Sequence, residues 1–204
     1  MSEKTVKNEE NSLNLADFDQ KTSKNLVKVG NEIPVLFCKV REGAKVPTQE
    51  TGSAGLDFYA CFNEDYIKIK PHTCELIPTG IKYVISPDYW ILLEERGSTG
   101  TKNMKRNAGV LDSNFRGEVF VCLYNGNNYP LYIAKEGVDP KMTLWEKIKN
   151  ALGLTVRRIY PYNKAIAQGI VLPQYDVISG EISKKDFEFY STNRGEGMLG
   201  SSGK

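Results

Sequence analysis

A carboxylate and an aromatic ring lie together in one predicted turn of the chain. Residues 109–111 and 118–123 are rich in strand-forming side chains, and the polar segment between them carries Asp112, Phe115 and Gly117. This pattern is typical of a β-hairpin. A carboxylate on such a scaffold could orient a water molecule against a substrate whose flat part contacts Phe115, because a base needs fixed hydrogen-bond reach. The same residues also suit an ordinary turn, in which Asp is common.

Two further loops combine charge with small residues. Asp57 follows the glycine-containing stretch 52–55, where it suits either a turn or contact with the water shell of a metal ion. The loop 95–102 has Arg96 near one end and Lys102 at the other. Its Gly, Ser and Thr residues could simply connect two strands, or they could present consecutive N–H groups to phosphate oxygens.

An isolated amide and a glycine-rich tail complete the set of candidate groups. Gln168 lies in an apolar run, so it should either satisfy backbone groups or face a ligand. The tail 194–204 is rich in Gly and Ser, with Arg194 and Lys204 at its ends. This composition is typical of disorder, yet it could also close over a phosphate chain, since Arg pairs bidentately with phosphate.

Several other mechanisms lack the residues they need. His72 is the only histidine, and no Gly-x-Ser-x-Gly motif occurs, so neither a Ser-His-Asp triad nor a His-rich metal site is predicted. The four cysteines show no Cys-x-x-Cys spacing, and three of them lie in predicted strands. We expect buried structural thiols rather than a zinc site or disulfides at Cys38, Cys61, Cys74 and Cys122.

Composition limits the classes of partner. The chain has 204 residues, of which 40% are hydrophobic and 25% charged, enough for one domain with appendages. The net charge of +2 is too balanced for a dedicated nucleic-acid or membrane surface. No stretch approaches the length of about 18 apolar residues that spans a membrane, and the first residues lack an apolar signal core. We therefore expect a soluble, cytoplasmic protein with no DNA, RNA or membrane partner.

The spacing of apolar residues predicts an all-β protein with a jelly-roll-like β-barrel. Residues 1–31 are polar and predict a flexible arm. After them, short β-prone runs are separated by turn residues, at 34–40, 66–70, 74–78, 81–85, 90–93, 119–123 and 166–172. The exception is a helix predicted at about 143–152, with Thr143 as N-cap, Glu146 three residues later and Gly153 at its end.

Five of these segments resemble, in the same order, the five motifs of the trimeric deoxyuridine triphosphatases (dUTPases). They are Ala-Gly-Leu-Asp at 54–57, Arg-Gly-Ser at 96–98, Gly-Val-Leu-Asp-Ser-Asn-Phe-Arg-Gly at 109–117, Ile-Ala-Gln at 166–168 and Arg-Gly-x-Gly-x-x-Gly-Ser at 194–201. The resemblance covers about 35–204, without part of 126–163, which it marks as an insertion. It implies a domain at 32–190, a C-terminal lid at 191–204 and a homotrimer whose active sites each combine three subunits.

The resemblance also implies an activity, which is Mg²⁺-dependent hydrolysis of dUTP to dUMP and pyrophosphate. Asp112 would orient the attacking water, and Phe115 would lie under the deoxyribose. Backbone near Gly109 and Phe120 would contact the uracil edge, and Asp57 would hold a water bound to Mg²⁺. The phosphates would be contacted by Arg96, Gly97, Ser98 and Gln168. The lid closing from a neighbouring subunit would contain Arg194, Leu199, Gly200 and Ser201.

Some residues depart from the family pattern and keep other functions open. Gly97 replaces a Ser, Lys164 and Ala165 replace an acidic residue and an Arg, and Leu199 replaces the aromatic ring that stacks on the base. Losing that stacking costs roughly 1 kcal/mol, which predicts weaker lid closure or a different pyrimidine.

Two other functions are alternatives. One is hydrolysis or deamination of another deoxypyrimidine triphosphate, and the other is a nucleotide-binding signalling module that keeps the fold. The insertion 126–163 would either contact a protein partner or pack its amphipathic helix on the barrel.

Overall fold

The structure is a computed structural model that describes residues 32–192. The predicted arm at 1–31 and all but two residues of the predicted lid lie outside the described residues. The described chain is built from twelve short strands with three short helices, which confirms the all-β prediction. No described helix has the length and apolar character needed to cross a membrane.

All seven predicted strands are present, with ends within two residues of those expected. The strands are β1 Val35–Lys39, β2 Leu56–Tyr59, β3 Tyr66–Ile69, β4 Cys74–Pro78, β5 Ile81–Ile85, β6 Tyr89–Glu94, β7 Met104–Asn107, β8 Val110–Leu111, β9 Phe120–Asn125, β10 Leu131–Ala134, β11 Arg158–Pro161 and β12 Ala165–Pro173. The helices are α1 Gly97–Gly100, α2 Leu144–Ala151 and α3 Lys184–Phe187. Strands β7, β10 and β11 were not predicted, since β7 reads Met-Lys-Arg-Asn, which lacks alternating apolar residues, and β10 and β11 lie in the segment interpreted as an insertion.

The strands of residues 32–174 form four small sheets around one core. Their orders are β2-β12-β6-β8, β4-β9-β7, β11-β10-β3 and β1-β5. Pairing is antiparallel except between β10 and β11. The alternation in β5 shows how the core forms, since Ile81, Tyr83 and Ile85 are buried whereas Lys82 is exposed. One face of β5 therefore packs on the interior, and the other faces outward.

The predicted β-hairpin around Asp112 is wrong in its pairing. Strand β8 pairs with β6, and β9 pairs with β4 and β7. The two arms therefore belong to different sheets, although the turn between them forms as predicted. Local sequence gives the strand character of each arm, whereas the partner depends on which sheet edge lies nearby.

The segment predicted as an insertion contains two strands of a sheet. β10 and β11 lie within 126–163, and Leu131, Ile133 and Tyr160 are buried in the core. The excursion from this sheet is therefore the part between β10 and β11.

Helix α2 lies in this excursion and forms as predicted. The Thr143 hydroxyl accepts a hydrogen bond from Glu146 N at 3.2 Å, the Glu146 carboxylate accepts one from Thr143 N at 2.7 Å, and Gly153 has a φ of +77°. Its apolar face does not pack on the barrel, because Leu144 is 76% and Leu152 72% exposed.

Burial of the cysteines differs from the expectation. Cys61, which lies outside the strands, is buried, whereas Cys38 and Cys74 are exposed and Cys122 is half-buried. Cys74 and Cys122 lie on outward positions of β4 and β9, since the alternate residues Ile77, Val121 and Leu123 are buried. Strand propensity predicted that these cysteines lie in strands, but not on which face of the sheet their side chains lie.

Residues 175–192 form a second compact unit. It contains helix α3, whose N-cap Ser183 accepts a hydrogen bond from Asp186 N at 3.1 Å. Large apolar side chains of this unit are exposed, among them Val177, Ile178, Phe187 and Phe189.

Glu118 connects the β4–β5 turn to the segment before β9. Its carboxylate accepts two hydrogen bonds from Arg41, at 2.7 and 3.0 Å, and one from Gly80 N at 2.9 Å. Burial alone raises the pKa of Glu118, but these hydrogen bonds outweigh it and hold the pKa below the ordinary value of 4.5. Because folding lowers this pKa, the carboxylate stabilises the fold above about pH 4.5 and loses its effect as the pH falls through the folded-state pKa.

We expect Glu118→Gln to destabilise the protein by roughly 1 kcal/mol at pH 7, because the Gly80 N–H and Arg41 lose a charged acceptor. The difference in unfolding free energy between variant and wild type should shrink as the pH falls below 4.5. Urea titrations at several pH values would measure it. A difference that grows on acidification would contradict this assignment.

Candidate active site

Three candidate residues meet because of the register of one sheet. On the central strand β12, Gln168 lies opposite Asp57 of β2 on one side and opposite Glu94 of β6 on the other. Side chains directly opposite each other in antiparallel strands project from the same face, about 5 Å apart. Arg96 follows β6 two residues after Glu94 and joins this row through its contact with Asp57.

An ion pair and an amide hydrogen bond close the row. Arg96 Nε lies 2.9 Å from Asp57 Oδ1, and the two side chains are 31% and 17% exposed. Gln168 Nε2 donates to Glu95 O at 2.9 Å. The sequence predicted that Gln168 either satisfies backbone groups or faces a ligand. Its NH₂ group satisfies a backbone carbonyl, as in the first of these interpretations.

The loop after β6 is a helical turn rather than an open row of N–H groups. The N–H groups of Thr99, Gly100 and Thr101 donate to the carbonyls of Arg96 and Gly97. Thr99 is buried, and its hydroxyl lies 2.9 Å from Arg96 N and 3.0 Å from Arg96 O. Only the N–H groups that begin a helical turn, here those of Gly97 and Ser98, lack partners within it. The Lys102 ammonium donates to Ser98 O and so lies beside this turn.

A second ion pair, missed by sequence reasoning, lies at the same end of β6. Arg106 Nη2 is 2.6 Å from Glu94 Oε1, and Arg106 N donates to Glu95 Oε1 at 2.8 Å. The hydrogen bond from Arg106 lowers the pKa of Glu94. Arg106 lies on the unpredicted strand β7, so no local signal linked it to β6.

Asp112 and Phe115 lie together on the turn after β8. Asp112 is exposed, and its carbonyl oxygen accepts hydrogen bonds from Phe115 N at 3.0 Å and from the Tyr83 hydroxyl at 2.6 Å. Phe115 is 40% exposed, and its ring folds over Gly117, where an added Cβ would approach the ring to 2.6 Å. Burial, followed by the charge of Asp112, raises the pKa of Tyr83 to about 12, although Arg116 opposes this shift.

The two arms that precede and follow this turn each keep one strand edge outside the sheets. Within the described residues, β8 pairs only with β6, and Phe120 and Val121 of β9 pair only with β4, since β7 covers 122–125. Backbone donors and acceptors on the other edge of each arm are therefore not used by a strand ladder. Gly109 directly precedes β8, and its carbonyl accepts from Leu93 N at 2.7 Å.

The structure does not bring Asp112 to the row that contains Asp57 and Arg96. The β8–β6 ladder ends at Leu111, which lies opposite Ile91, and Asp112 follows in the turn. Glu94 is three positions from Ile91 along β6, about 10 Å at the rise of a strand, and the chain from Leu111 to Asp112 leads away from it. The candidate residues therefore form two groups in the protomer. Arg194, Leu199, Gly200 and Ser201 lie outside the described residues.

Comparisons with known proteins agree on one family. A family model described as dUTPase matches residues 41–137. The deoxyuridine 5'-triphosphate nucleotidohydrolase of Neisseria meningitidis serogroup A is 30% identical over 177 residues, which cover 84% of this chain and 97% of that protein. The enzyme of the same name from Buchnera aphidicola is 33% identical over 107 residues, covering 50% of this chain and 69% of that protein.

Solved structures share the fold. The dUTPase of Staphylococcus bacteriophage 80alpha with dUPNHPP aligns with a TM-score of 0.62 at 19% identity, covering 84% of this chain and 99% of that one. A dUTPase from phage phi11 of S. aureus, whose structure concerns coordination of a structural Mg(II) ion, aligns with a TM-score of 0.54 at 16% identity, covering 74% and 97%. At these identities the likeness concerns the fold, and it confirms the predicted jelly-roll-like architecture.

Gly109 is required by the close approach of β8 to β6. A Cβ at this position would lie 2.5 Å from Leu93 O, whereas a Cβ at Gly97 would meet nothing within 4 Å. We expect Gly109→Ala to destabilise the protein by roughly 1–3 kcal/mol, since the strands must separate. Gly97→Ala, the matched control, should leave the thermal midpoint nearly unchanged, and equal midpoints for both variants would contradict this explanation.

Proposed function

The chain belongs to the dUTPase family, and we propose that it hydrolyses dUTP to dUMP and pyrophosphate. The observation that carries this proposal is the row of Asp57, Gln168 and Arg96. It offers a carboxylate, an amide and a guanidinium at one end of a sheet. Hydrolysis of a phosphoanhydride depends mainly on positioning and on neutralising charge, so such a row suits a triphosphate.

The phosphates would be held by Arg96, by the N–H groups of Gly97 and Ser98 and by Gln168. Arg96 is 31% exposed and can reorient from Asp57 toward an anion. Gly97 lacks the hydroxyl of the usual Ser, but a Cβ at this position would meet nothing within 4 Å, so substrate can approach the backbone. Ser98 supplies a hydroxyl next to it.

The residues present fit a magnesium ion bound mainly by substrate. Within residues 32–192 no three His, Cys, Asp or Glu side chains cluster as a protein-built metal site. Mg²⁺ usually keeps several waters and binds one or two carboxylates plus phosphates, and Asp57 is a carboxylate of this kind beside the proposed phosphate site. When bound, the ion would neutralise charge on the triphosphate. Asp57 would hold one of its waters.

Asp112 would orient the attacking water at the α-phosphorus. Its carboxylate is exposed on a turn whose backbone is fixed by two hydrogen bonds. Phe115 would lie under the deoxyribose with its exposed ring and would exclude a 2′-hydroxyl. The backbone near Gly109 and Phe120, on strand edges outside the ladders, would offer donors and acceptors to the edge of uracil.

We also propose that the chain forms a homotrimer with shared sites. Asp112 follows Leu111, which pairs about 10 Å along β6 from Glu94, and in the proposed trimer a second copy would bring its Asp112 to the row of Asp57, Gln168 and Arg96. The exposed side chains of Val177, Ile178, Phe187 and Phe189 supply an apolar surface for contact between copies. The tail from Arg194 to Ser201 would close over the phosphates from a third copy, with Leu199 covering the base.

The remaining sequence-based expectations are parts of the same proposal. Cytoplasmic location without a nucleic-acid or membrane partner agrees with a small nucleotide substrate. A protein partner at the excursion between β10 and β11 stays a prediction, and the exposed apolar side chains of α2 would suit it.

We expect the purified full chain to release pyrophosphate from dUTP in the presence of Mg²⁺, and to do so faster than from dCTP, dTTP or UTP. Asp112→Asn should lower kcat by roughly 10²- to 10⁴-fold, because the carboxylate that orients the water is lost. Asp139→Asn is the control, since this carboxylate lies in the excursion between β10 and β11. Consumption of dCTP with dUTP untouched would favour the alternative substrate, and full activity of Asp112→Asn would rule out its role.

Mixing two inactive variants tests the shared site. Asp112→Asn and Arg96→Ala should each be inactive alone. In trimers assembled from an equal mixture, about one quarter of the sites combine an intact Asp112 from one protomer with an intact Arg96 from another. Recovery of roughly that fraction of activity after co-refolding would support the arrangement. No recovery would show that both residues act within one protomer.

A further inference from the structure

Tyr83 is a polar residue in an otherwise aliphatic row of the core. It lies in the middle of β5, between the buried residues Ile81 and Ile85, and is 1% exposed. A buried tyrosine hydroxyl needs a hydrogen-bond partner. Its partner is the carbonyl oxygen of Asp112, 29 residues away in sequence and 2.6 Å away in space.

This hydrogen bond attaches the Asp112 turn to the core. The bond from Phe115 N to Asp112 O closes the turn, and Arg116 Nη1 donates to Ser113 O at 2.7 Å and to Phe115 O at 2.8 Å. These bonds shape the turn but stay inside it. Within the described residues, Tyr83 supplies the hydrogen bond that residues 112–117 receive from elsewhere in the fold.

The same side chain also supports Phe115. The two ring centroids are 6.4 Å apart with an interplanar angle of 40°. Gly117 also lies against this ring, where an added Cβ would approach it to 2.6 Å, so Tyr83 and Gly117 both adjoin Phe115. The raised pKa of Tyr83 keeps its hydroxyl protonated, and therefore a donor, throughout the neutral range.

We propose that Tyr83 is a positioning residue for hydrolysis, which fixes the Asp112 backbone with its hydroxyl and the Phe115 ring with its own ring. The inference rests on the proposed function, in which Asp112 orients water and Phe115 contacts the sugar. Tyr83 itself touches no substrate. Its removal should therefore change the rate of the chemical step more than the binding of nucleotide.

The experiment compares Tyr83→Phe with Tyr160→Phe in the full chain. Tyr160 is also 1% exposed, and its hydroxyl donates to the Ala165 carbonyl at 2.7 Å, so each variant loses one buried hydroxyl-to-carbonyl bond. We expect similar decreases in Tm. Tyr83→Phe should lower kcat for dUTP by roughly 10- to 100-fold, because Asp112 loses its fixed position. Its KM should stay within about threefold, and Tyr160→Phe should keep the wild-type kcat.

Hydrogen exchange gives a second readout that needs no activity. The Phe115 N–H shares its acceptor with Tyr83, so a peptide covering 112–117 should be protected in wild type and exchange faster in Tyr83→Phe but not in Tyr160→Phe. Rapid exchange of this peptide in wild type overturns the proposal even if the variant fails to fold. An unchanged kcat in Tyr83→Phe, or equal losses of kcat in both variants, also overturns it.

Failure of the inference about Tyr83 can be distinguished from failure of the proposed function. Wild-type protein that leaves dUTP intact, or an active Asp112→Asn variant, would remove the proposed function. If wild type hydrolyses dUTP and Asp112→Asn does not, the kcat of Tyr83→Phe decides the inference alone. In the Asp112→Asn background, Tyr83→Phe should have no further effect on the residual rate, because the two residues act as a unit.

Discussion

The pairing of β12 with β2 and β6 is the constraint on which the rest of the site depends. It sets Gln168 opposite both Asp57 and Glu94, so three strands far apart in sequence deliver polar groups to one row. The side-chain period of a strand is two residues. A shift of β12 by a single residue would therefore turn Gln168 toward the core and one of its buried neighbours, Ala167 or Gly169, into the row. The buried side chains on the inner face of this sheet, such as Phe58 and Leu93, oppose such a shift.

Charge at this row is balanced within the protomer. Arg96 is paired with Asp57, and Arg106 with Glu94, so both guanidinium groups at this end of the sheet already have a carboxylate partner. In the proposed function, a triphosphate that binds Arg96 would replace Asp57 as its partner. Asp57 would then need another positive group, which a divalent ion accompanying the substrate would provide. The ion pair would thus couple the binding of phosphate to the binding of metal, and it avoids an unpaired charge in the free protomer.

The turn that carries Asp112 illustrates a different solution. Its arms belong to two sheets, so each keeps one backbone edge outside the strand ladders. A continuous hairpin would have used those edges for its own ladder, and the turn would have needed no other support. The observed arrangement loses that support, and the hydrogen bond from Tyr83 to the Asp112 carbonyl replaces part of it. In the proposed function, recognition of a base and rigidity of the carboxylate would therefore come from separate elements.

The sequence by itself determined the strands with clear alternation, the capped helix at Thr143 and the identity of the candidate groups, because turn chemistry, capping and side-chain period are local properties. Motif order added the family and the proposed roles of Asp57, Arg96, Asp112 and Gln168. Only the tertiary structure decided that β8 and β9 belong to different sheets, that Arg96 pairs with Asp57 and Arg106 with Glu94, that Tyr83 donates to the Asp112 carbonyl, and that Asp112 lies apart from the row of Asp57, Gln168 and Arg96. These facts depend on which strand edges meet and in what register. Strand pairing is set by the packing of the whole core, which no local stretch of sequence encodes.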